Sequence, residues 1–246
     1  IHKAQFKALP SGFKNLSASE IEQINKDPYA SPWMAQQEKG TRPASPLPYQ
    51  LYADGKLSDD GQTFKIKFAA GNEVFGASAA GSPFYVYMPE KDVAPRNYAV
   101  NAGDQLIDEW ALNANENYHL QVYGPNGFFR EFTGNGNDPA IDIALEYQRT
   151  AAAKKALTGN VEIKLRNTGK QKITVEVSDN AYKGKAQTKI INPGAQATLI
   201  ADLSKNSGWY DLSVKVKGQK DFEKRYAGRV ETGRISITDP VMGRMV

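Results

Sequence analysis

Apolar and polar residues alternate along most of the chain after residue 49, and this period of two predicts β-strands with one buried face. In one such segment, Phe64, Ile66 and Phe68 alternate with lysines. The same rhythm returns in further segments, at residues 84–88, 118–122, 128–132, 161–165, 173–177, 199–203 and 210–216. The sequence therefore predicts an all-β protein over this region.

One turn signal stands out between two of these segments. The sequence Gly124-Pro125-Asn126-Gly127 separates the apolar runs at 118–122 and 128–132. Asn-Gly between apolar runs is a strong hairpin signal because both central turn residues must adopt positive φ. We expect a β-hairpin at this point.

The strand pattern repeats itself with a long period. Four motifs recur at offsets of 97, 91, 92 and 94 residues, for example Tyr118-His-Leu-Gln-Val122 and Tyr210-Asp-Leu-Ser-Val214. A period near 95 is about the length of a β-sandwich domain and too long for a solenoid repeat. The pattern predicts two tandem β-sandwich domains related by internal duplication, with a pair of barrels as the weaker alternative.

The first 45 residues differ from the rest. Ser17 and Glu20 have the spacing of a capping box, which predicts a short helix over residues 18–26, and Pro28 discourages its continuation. A proline-rich connector follows. We expect residues 1–45 to precede a first sandwich at 46–145 and a second at 155–246. Residues 140–157 have a helix-like composition, and we expect them to link the two sandwiches.

Catalytic signatures are scarce in this chain. It has no Cys and only two His, which excludes thiol chemistry and leaves little for a histidine-based metal site or triad. Ser78 lacks the spacing of a nucleophile elbow, and the carboxylate pairs lack calcium-loop spacing. His119 alternates with apolar neighbours and is expected on the surface. We predict no catalytic residue, metal or cofactor.

Charge is distributed unevenly along the chain. Residues 1–150 sum to −5 and residues 151–246 to +9. The basic half could face an anionic partner, or its lysines could simply be the solvated faces of strands. The chain has no arginine-rich run and no basic-aromatic platform of the kind that binds nucleic acid. It also has no stretch of 18 apolar residues, which a transmembrane helix would need.

A few residues fall outside the repeating pattern and are candidates for contact with a partner. Most of the aromatic residues recur at matching places in both copies, which is typical of core packing. Trp33 and Phe129 do not, and we consider them as an exposed patch for lipid or for another domain. Arg229 and Arg234 lie in a C-terminal run of mixed charge, where a docking edge and internal ion pairs are both open.

Several motifs resemble one bacterial family. They are Gln37-Glu38-x-Gly40-x-Arg42-Pro43-Ala44, residues 123–132 (YGPNGFFREF), residues 207–212 (SGWYDL) and residues 227–233 (AGRVETG). These strings resemble the C-terminal region of bacterial phosphocholine-specific phospholipase C, over nearly the whole chain. The resemblance implies duplicated accessory domains that follow an N-terminal catalytic domain.

The resemblance also sets the functional expectation. It implies a non-catalytic module of a secreted or periplasmic enzyme that cleaves phosphatidylcholine to phosphocholine and diacylglycerol, with sphingomyelin as a second candidate substrate. Its expected partners are the catalytic domain of the same polypeptide and, as a further candidate, a phospholipid surface. The chain starts at Ile1, and we expect it to be a fragment of that enzyme. The alternative is a purely structural or protein-docking module without lipid contact.

Overall fold

A computed structural model describes residue 8 and residues 11–31, 38–113, 116–151 and 156–246. Its contacts divide the chain into a unit of residues 1–39 and a larger unit of residues 40–246. The smaller unit contains the predicted helix, α1 (Ala18–Lys26), and a single helical turn at Pro28–Ala30. The Ser17 side chain accepts a hydrogen bond from the Glu20 amide and Glu20 reaches back to the Ser17 amide, so the capping box is confirmed.

The larger unit is built of strands. In chain order they are β1 (Pro43–Ala44), β2 (Leu51–Leu57), β3 (Thr63–Ala70), β4 (Ser82–Tyr87), β5 (Arg96–Val100), β6 (Gln105–Ala111), β7 (Tyr118–Tyr123), β8 (Phe129–Gly134), β9 (Ile141–Arg149), β10 (Leu157–Asn167), β11 (Ile173–Asp179), β12 (Gln187–Ile191), β13 (Gln196–Ala201), β14 (Trp209–Val216), β15 (Glu223–Arg229) and β16 (Ser236–Ile237). All of the pairings are antiparallel. The all-β prediction is confirmed.

The strands form two sandwiches with the same connections. In the first, the sheet β2-β3-β6 is one layer and β5-β4-β7-β8 is the other; in the second, β9-β10-β13 and β12-β11-β14-β15 take the same places. Each sandwich therefore has seven strands in the same order, as in immunoglobulin-like architectures. The predicted internal duplication is visible in the topology.

The two sandwiches share one continuous sheet. Strand β8 of the first pairs with β15 of the second, which joins the two four-stranded layers into a sheet of eight strands. The equivalent residues Arg130 and Lys224 lie opposite Tyr226 and Phe132, respectively. Pairing two equivalent strands in antiparallel register relates the repeats by a local twofold axis and leaves neither β8 nor β15 as an open edge.

Each sandwich has its own hydrophobic core. The first is rich in aromatic rings, including Phe64, Phe68 and Trp110, whereas the second is largely aliphatic. The recurring aromatic residues Phe128, Phe132, Phe222 and Tyr226 are buried, as expected of core residues. The hairpin between β7 and β8 is also confirmed, since Asn126 and Gly127 both adopt positive φ, at 58° and 73°.

The expected helical linker at residues 140–157 is wrong where the structure describes it. Residues Ile141–Arg149 form β9, which alternates buried and exposed positions and is the first strand of the second sandwich. The second sandwich thus begins ahead of the boundary expected near residue 145. Alanine, leucine and glutamate favour helix locally, but pairing with β10 and burial of Ile143 and Leu145 outweigh that preference.

Candidate functional site

The outer face of the eight-stranded sheet carries exposed aromatic residues on the first sandwich. Along β4 the side chains of Phe84 and Val86 are buried, so Tyr85 and Tyr87 between and beside them point to the opposite face. Tyr123 of β7 lies directly opposite Tyr85 in the strand register. These three tyrosines are 43%, 42% and 42% exposed, respectively.

The rings form an open cleft. Tyr87 and Tyr123 meet edge to face, with ring centroids 5.5 Å apart and planes at 88°. Together with Pro89 and Gln121, the three tyrosines line a space of about 440 Å³, which we call the tyrosine cleft. Its walls are aromatic faces and edges, with the phenol oxygens as the main polar groups.

A carboxylate network borders the tyrosine cleft. The Tyr123 hydroxyl donates to Gln121 Oε1 at 2.9 Å, and Gln121 Nε2 donates to Glu131 Oε1 at 2.7 Å. His119 lies between two carboxylates, with Nε2 2.8 Å from Glu131 and Nδ1 3.3 Å from Glu90. Burial raises the pKa of Glu131, but hydrogen bonds from Gln121 and His119 outweigh it and hold that pKa below its ordinary value. Glu131 is therefore ionised at neutral pH, and Arg225 Nη1 lies 3.7 Å from its second carboxylate oxygen.

The nearest arginine is largely neutralised by a partner. Arg225 of β15 donates two hydrogen bonds of 2.7 Å to the two oxygens of Asp211, the bidentate geometry that favours a strong ion pair. Its guanidinium also lies 5.5 Å from the Phe129 ring, whose other neighbour is Tyr123 at 5.0 Å. Phe129 thus extends the aromatic surface of the tyrosine cleft toward the second sandwich.

The inner face of the same strands holds two buried cations. Arg130 of β8 and Lys224 of β15 are only 1% and 3% exposed, although they occupy equivalent positions in the two repeats. The Arg130 guanidinium donates to the backbone oxygens of Phe129 and Ala227 and to the Tyr210 hydroxyl. Both cations lie at the junction of the two cores, which we call the buried seam.

The Lys224 ammonium finds a hydrogen-bond acceptor across the buried seam. Its ammonium donates to the backbone oxygen of Gly55 at 2.5 Å. Burial lowers the pKa of Lys224 to about 8, against the opposing charges of Asp54, Asp138 and Asp142. Burial likewise raises the pKa of Asp54, while Arg130 and Lys224 pull it down by less. This arrangement is an internal polar junction between the sandwiches.

Two grooves larger than the tyrosine cleft run along β2 and β9. They have volumes of about 550 and 720 Å³, and their linings include charged side chains of both signs. Many of these charges are paired with each other, such as Lys56 with Asp142 at 2.7 Å and Lys164 with Glu146. Ion pairs between exposed residues offer a ligand little unpaired charge, so these grooves are weaker candidates than the tyrosine cleft.

The structure places the four sequence candidates in different environments. Phe129 is half-buried beside the tyrosine cleft, and Arg234 is exposed in the C-terminal segment. Trp33 lies outside the described residues. The structure brings Phe129 together with Tyr123 and Arg225, not with either of the two candidate arginines.

Arg229 forms an internal ion pair, which is one of the two interpretations that the sequence leaves open. Its side chain is buried, lies 3.3 Å from Glu231 and stacks 5.6 Å from the Trp209 ring. Burial raises the pKa of Glu231, against the charge of Arg229 and a hydrogen bond of 2.7 Å from Asn126. A side chain enclosed in this way, in a pair that also receives a hydrogen bond from Asn126 of the first sandwich, is not presented to the surface.

The sequence pattern does not by itself predict the tyrosine cleft, although it contains a signal for it. In residues 84–88 the alternation predicts a strand from its apolar positions and assigns no role to the intervening positions. Those positions hold Tyr85 and Tyr87 where charged residues are usual. Aromatic residues at the outward-facing positions of a strand, where polar residues are usual, are the feature that indicates a binding surface.

Two absences among the described residues bear on the site. The described part of the chain contains no group of three or more His, Asp or Glu side chains placed to hold a metal ion. Within the same residues, no helix has the length and apolar character needed to cross a membrane.

Comparison with known proteins decides the family. The sequence model described as "Bacterial phospholipase C, C-terminal domain" matches this chain twice, at residues 43–135 and 141–229. The chain belongs to this family. The two matched segments correspond to the two sandwiches, so each repeat is one copy of this C-terminal domain.

Relatives of the C-terminal domain pair are named phospholipases C. Two are called non-hemolytic phospholipase C, from Pseudomonas aeruginosa (33% identical over 92% of this chain) and Burkholderia pseudomallei (34% over 87%). A third, the hemolytic phospholipase C of Pseudomonas aeruginosa, is 34% identical over 84% of the chain. The chain spans about a third of the length of these relatives, 32%, 30% and 30%.

Likeness to solved structures adds little. A structure from work on neurohormone perception by the receptor tyrosine kinase Torso covers 91% of this chain at 8% identity, with a TM-score of 0.23. A score this low carries no argument about fold or function.

Proposed function

We propose that this chain is the C-terminal accessory module of a secreted bacterial phospholipase C. The observation that carries the proposal is the double match to the C-terminal domain family, combined with relatives of which this chain spans about a third. In this proposal the remaining two thirds contain the catalytic domain, and residues 1–45 are its tail and connector. The chemistry of the parent enzyme, cleavage of phosphatidylcholine or sphingomyelin to release phosphocholine, would take place there.

The module is proposed to support the catalytic domain and to help it meet lipid. One support is the basic character of the second sandwich. Strand β11 begins beside the end of β14, with the Lys217 amide donating to Thr174 at 2.9 Å, so the flanking loops share one end. Four exposed lysines lie in these loops, namely Lys170, Lys172, Lys217 and Lys220. Clustered lysines attract an anionic leaflet by about 1 kcal/mol each when close to it.

A protein-docking module without lipid contact is the second candidate. The observation that favours it is the exposed apolar C-terminal segment, where Ile235 is 77% exposed and Met242 60% exposed. Apolar residues clustered in one exposed segment are typical of surfaces that meet another protein domain. The two candidates differ in their response to salt, since charge attraction is screened and apolar docking is not.

Co-sedimentation of this chain with liposomes tests the proposal. Pure phosphatidylcholine vesicles are compared with vesicles containing added phosphatidylglycerol, each at low and at physiological salt. Binding only to the anionic vesicles at low salt, lost when the four loop lysines are changed to glutamine, would assign lipid contact to the basic end. Binding to both vesicle types at both salts would assign it to uncharged contacts. No binding in any tube would overturn lipid contact and favour the docking module.

A further inference from the structure

The tyrosine cleft is an unusual surface for the outer face of a sheet. Three exposed tyrosines on adjacent strands converge there, and Phe129 continues the aromatic surface. The equivalent outer face of the second sandwich bears charged residues instead, with Glu176 on β11 and Lys215 on β14 at the places of Tyr85 and Tyr123. The aromatic cluster is therefore not required by the sandwich fold itself, which both repeats share.

The shape and chemistry of the tyrosine cleft suit a bulky cation. Aromatic faces attract cations through the ring quadrupole, and groups of such rings recognise quaternary ammonium ligands in particular. A trimethylammonium group has no N–H donors, so it needs apolar walls and diffuse negative charge rather than hydrogen-bond acceptors. The perpendicular rings of Tyr87 and Tyr123 supply an edge and a face within one open space of about 440 Å³.

Charge around the tyrosine cleft favours the same ligand. Glu131 is joined to the cleft wall through Gln121, and Glu90 follows directly after Pro89 of the lining. Arg225 donates two hydrogen bonds to Asp211, and its Nη1 also lies 3.7 Å from Glu131. The largely exposed Glu90 is therefore the carboxylate most accessible to a ligand. A cation entering the cleft thus meets aromatic walls with the carboxylate of Glu90 next to the lining.

We propose that the tyrosine cleft binds the trimethylammonium group of choline headgroups displayed on a lipid surface. This inference rests on the proposed function only in taking lipid as the source of the choline. A lipid source fits the open shape, because a shallow cleft on a broad sheet face can approach a layer of headgroups without enclosing any of them. It gives the module a contact with zwitterionic lipid that its lysines cannot provide.

The test combines two vesicle compositions with point variants of the whole chain. Phosphatidylcholine vesicles and phosphatidylethanolamine vesicles carry the same fraction of phosphatidylglycerol, so they differ only in trimethylammonium against primary ammonium. Sedimentation is measured at physiological salt, with choline chloride or ethanolamine hydrochloride as the soluble competitor. The variants Tyr87→Ala and Tyr123→Ala remove rings, and Tyr87→Phe keeps one. Ile190→Ala, at an exposed position of β12 in the same sheet, is the matched control.

We expect preferential binding to the phosphatidylcholine vesicles and competition by choline but not by ethanolamine. Each alanine variant should bind roughly three- to tenfold more weakly, while Tyr87→Phe and Ile190→Ala bind like the parent chain. Circular dichroism and thermal midpoints check that the variants are folded. Equal binding to both vesicle types, unchanged in the tyrosine variants, would overturn the inference while leaving the proposed lipid contact intact.

A second experiment, in solution and without vesicles, separates the remaining outcomes. Tyrosine ring signals of the chain are followed by NMR during titration with choline chloride and with ethanolamine hydrochloride. Choline-specific shifts of Tyr85, Tyr87 and Tyr123 without any vesicle binding would overturn the lipid source and show a site for soluble choline compounds. Absence of both would overturn the inference entirely.

Discussion

Lys224 of the second sandwich donates a hydrogen bond of 2.5 Å to the backbone oxygen of Gly55 in the first. The bond crosses from the shared eight-stranded sheet to the opposite layer, where β2 belongs to a sheet of three strands. Buried lysines are rare because removing the charge from water is costly. The sandwiches are therefore joined by a polar contact as well as by the β8–β15 pairing.

We expect stability to depend on pH through Lys224. Folding lowers its pKa from 10.5 to about 8, so between these values the folded state binds fewer protons than the unfolded state. Stability must then rise with pH in that window, by about 1 kcal/mol between pH 8 and 9. Urea denaturation of the parent chain at both pH values measures this rise.

The variant Lys224→Met should abolish that rise, whereas Lys215→Met, at an exposed position of β14, should keep it. A rise of equal size in Lys224→Met would contradict the assignment. The rise in stability with pH must end below pH 10, because folding also raises the pKa of buried tyrosines. The pKa of Tyr52, for example, is raised to about 12. Above pH 10 the unfolded state loses tyrosine protons first, and stability falls.

Arg130→Ala is expected to be among the most destabilising substitutions at the buried seam. It removes three hydrogen bonds and leaves the Ala227 carbonyl and the Tyr210 hydroxyl without that donor. Each buried group left without its hydrogen-bond partner costs about 1–3 kcal/mol. Arg166→Ala, at an exposed position of β10, should change stability by no more than about 0.5 kcal/mol. Similar urea midpoints for the two variants would refute the structural role of Arg130.

Gly55 is required by close packing. A Cβ at this position would lie 2.6 Å from two carbons of the Phe64 ring, which is itself fully buried. Gly55→Ala should therefore cost about 1–3 kcal/mol through displacement of that ring. Gly136→Ala is the matched control, since its nearest neighbour would be the Gly61 oxygen at 3.5 Å. Thermal unfolding of both variants is the measurement, and a neutral Gly55→Ala would show that Phe64 can move freely.

Substitutions of Arg229 and Arg234 should change stability by different amounts, because one side chain is buried in an ion pair and the other is exposed. Arg229→Met leaves Glu231 buried without its cation and should cost about 3 kcal/mol. Arg234→Met removes an exposed charge and should alter stability by about 0.5 kcal/mol or less. Differential scanning calorimetry gives both values. Equal midpoints would mean that the Arg229–Glu231 pair contributes nothing.

Local sequence pattern accounts for most of the fold. Alternation located the strands, and the near-constant offset between Tyr118-His-Leu120 and Tyr210-Asp-Leu212 revealed the duplication because equivalent core positions need similar residues. The pattern failed at β9, where helix-favouring residues such as Ala144 are held in a strand by long-range pairing. The register between strands that are distant in sequence cannot be deduced from a short stretch of sequence around either strand.

The same limit applies to the candidate site. Phe129 could be singled out because it breaks the repeat, but its neighbours Tyr123 and Arg225 come from other strands. The pairing of β8 with β15 brings Arg225 over the Phe129 ring, and nothing near either residue in sequence announces it. The sequence leaves the role of Arg229 open for a related reason, since its burial depends on contact with Trp209 of another strand.

The buried seam should make the two sandwiches unfold together. Hydrogen exchange can measure this at Ile66 and Ile163, equivalent buried positions on the central strands β3 and β10. If the shared sheet and the two buried cations couple the cores, both amides should report the same opening free energy to within about 0.5 kcal/mol. Arg130→Ala should then lower both values together, because either sandwich alone would expose an unpaired β8 or β15 edge. Opening free energies that differ by several kcal/mol would show that the repeats are independent domains joined only in sequence.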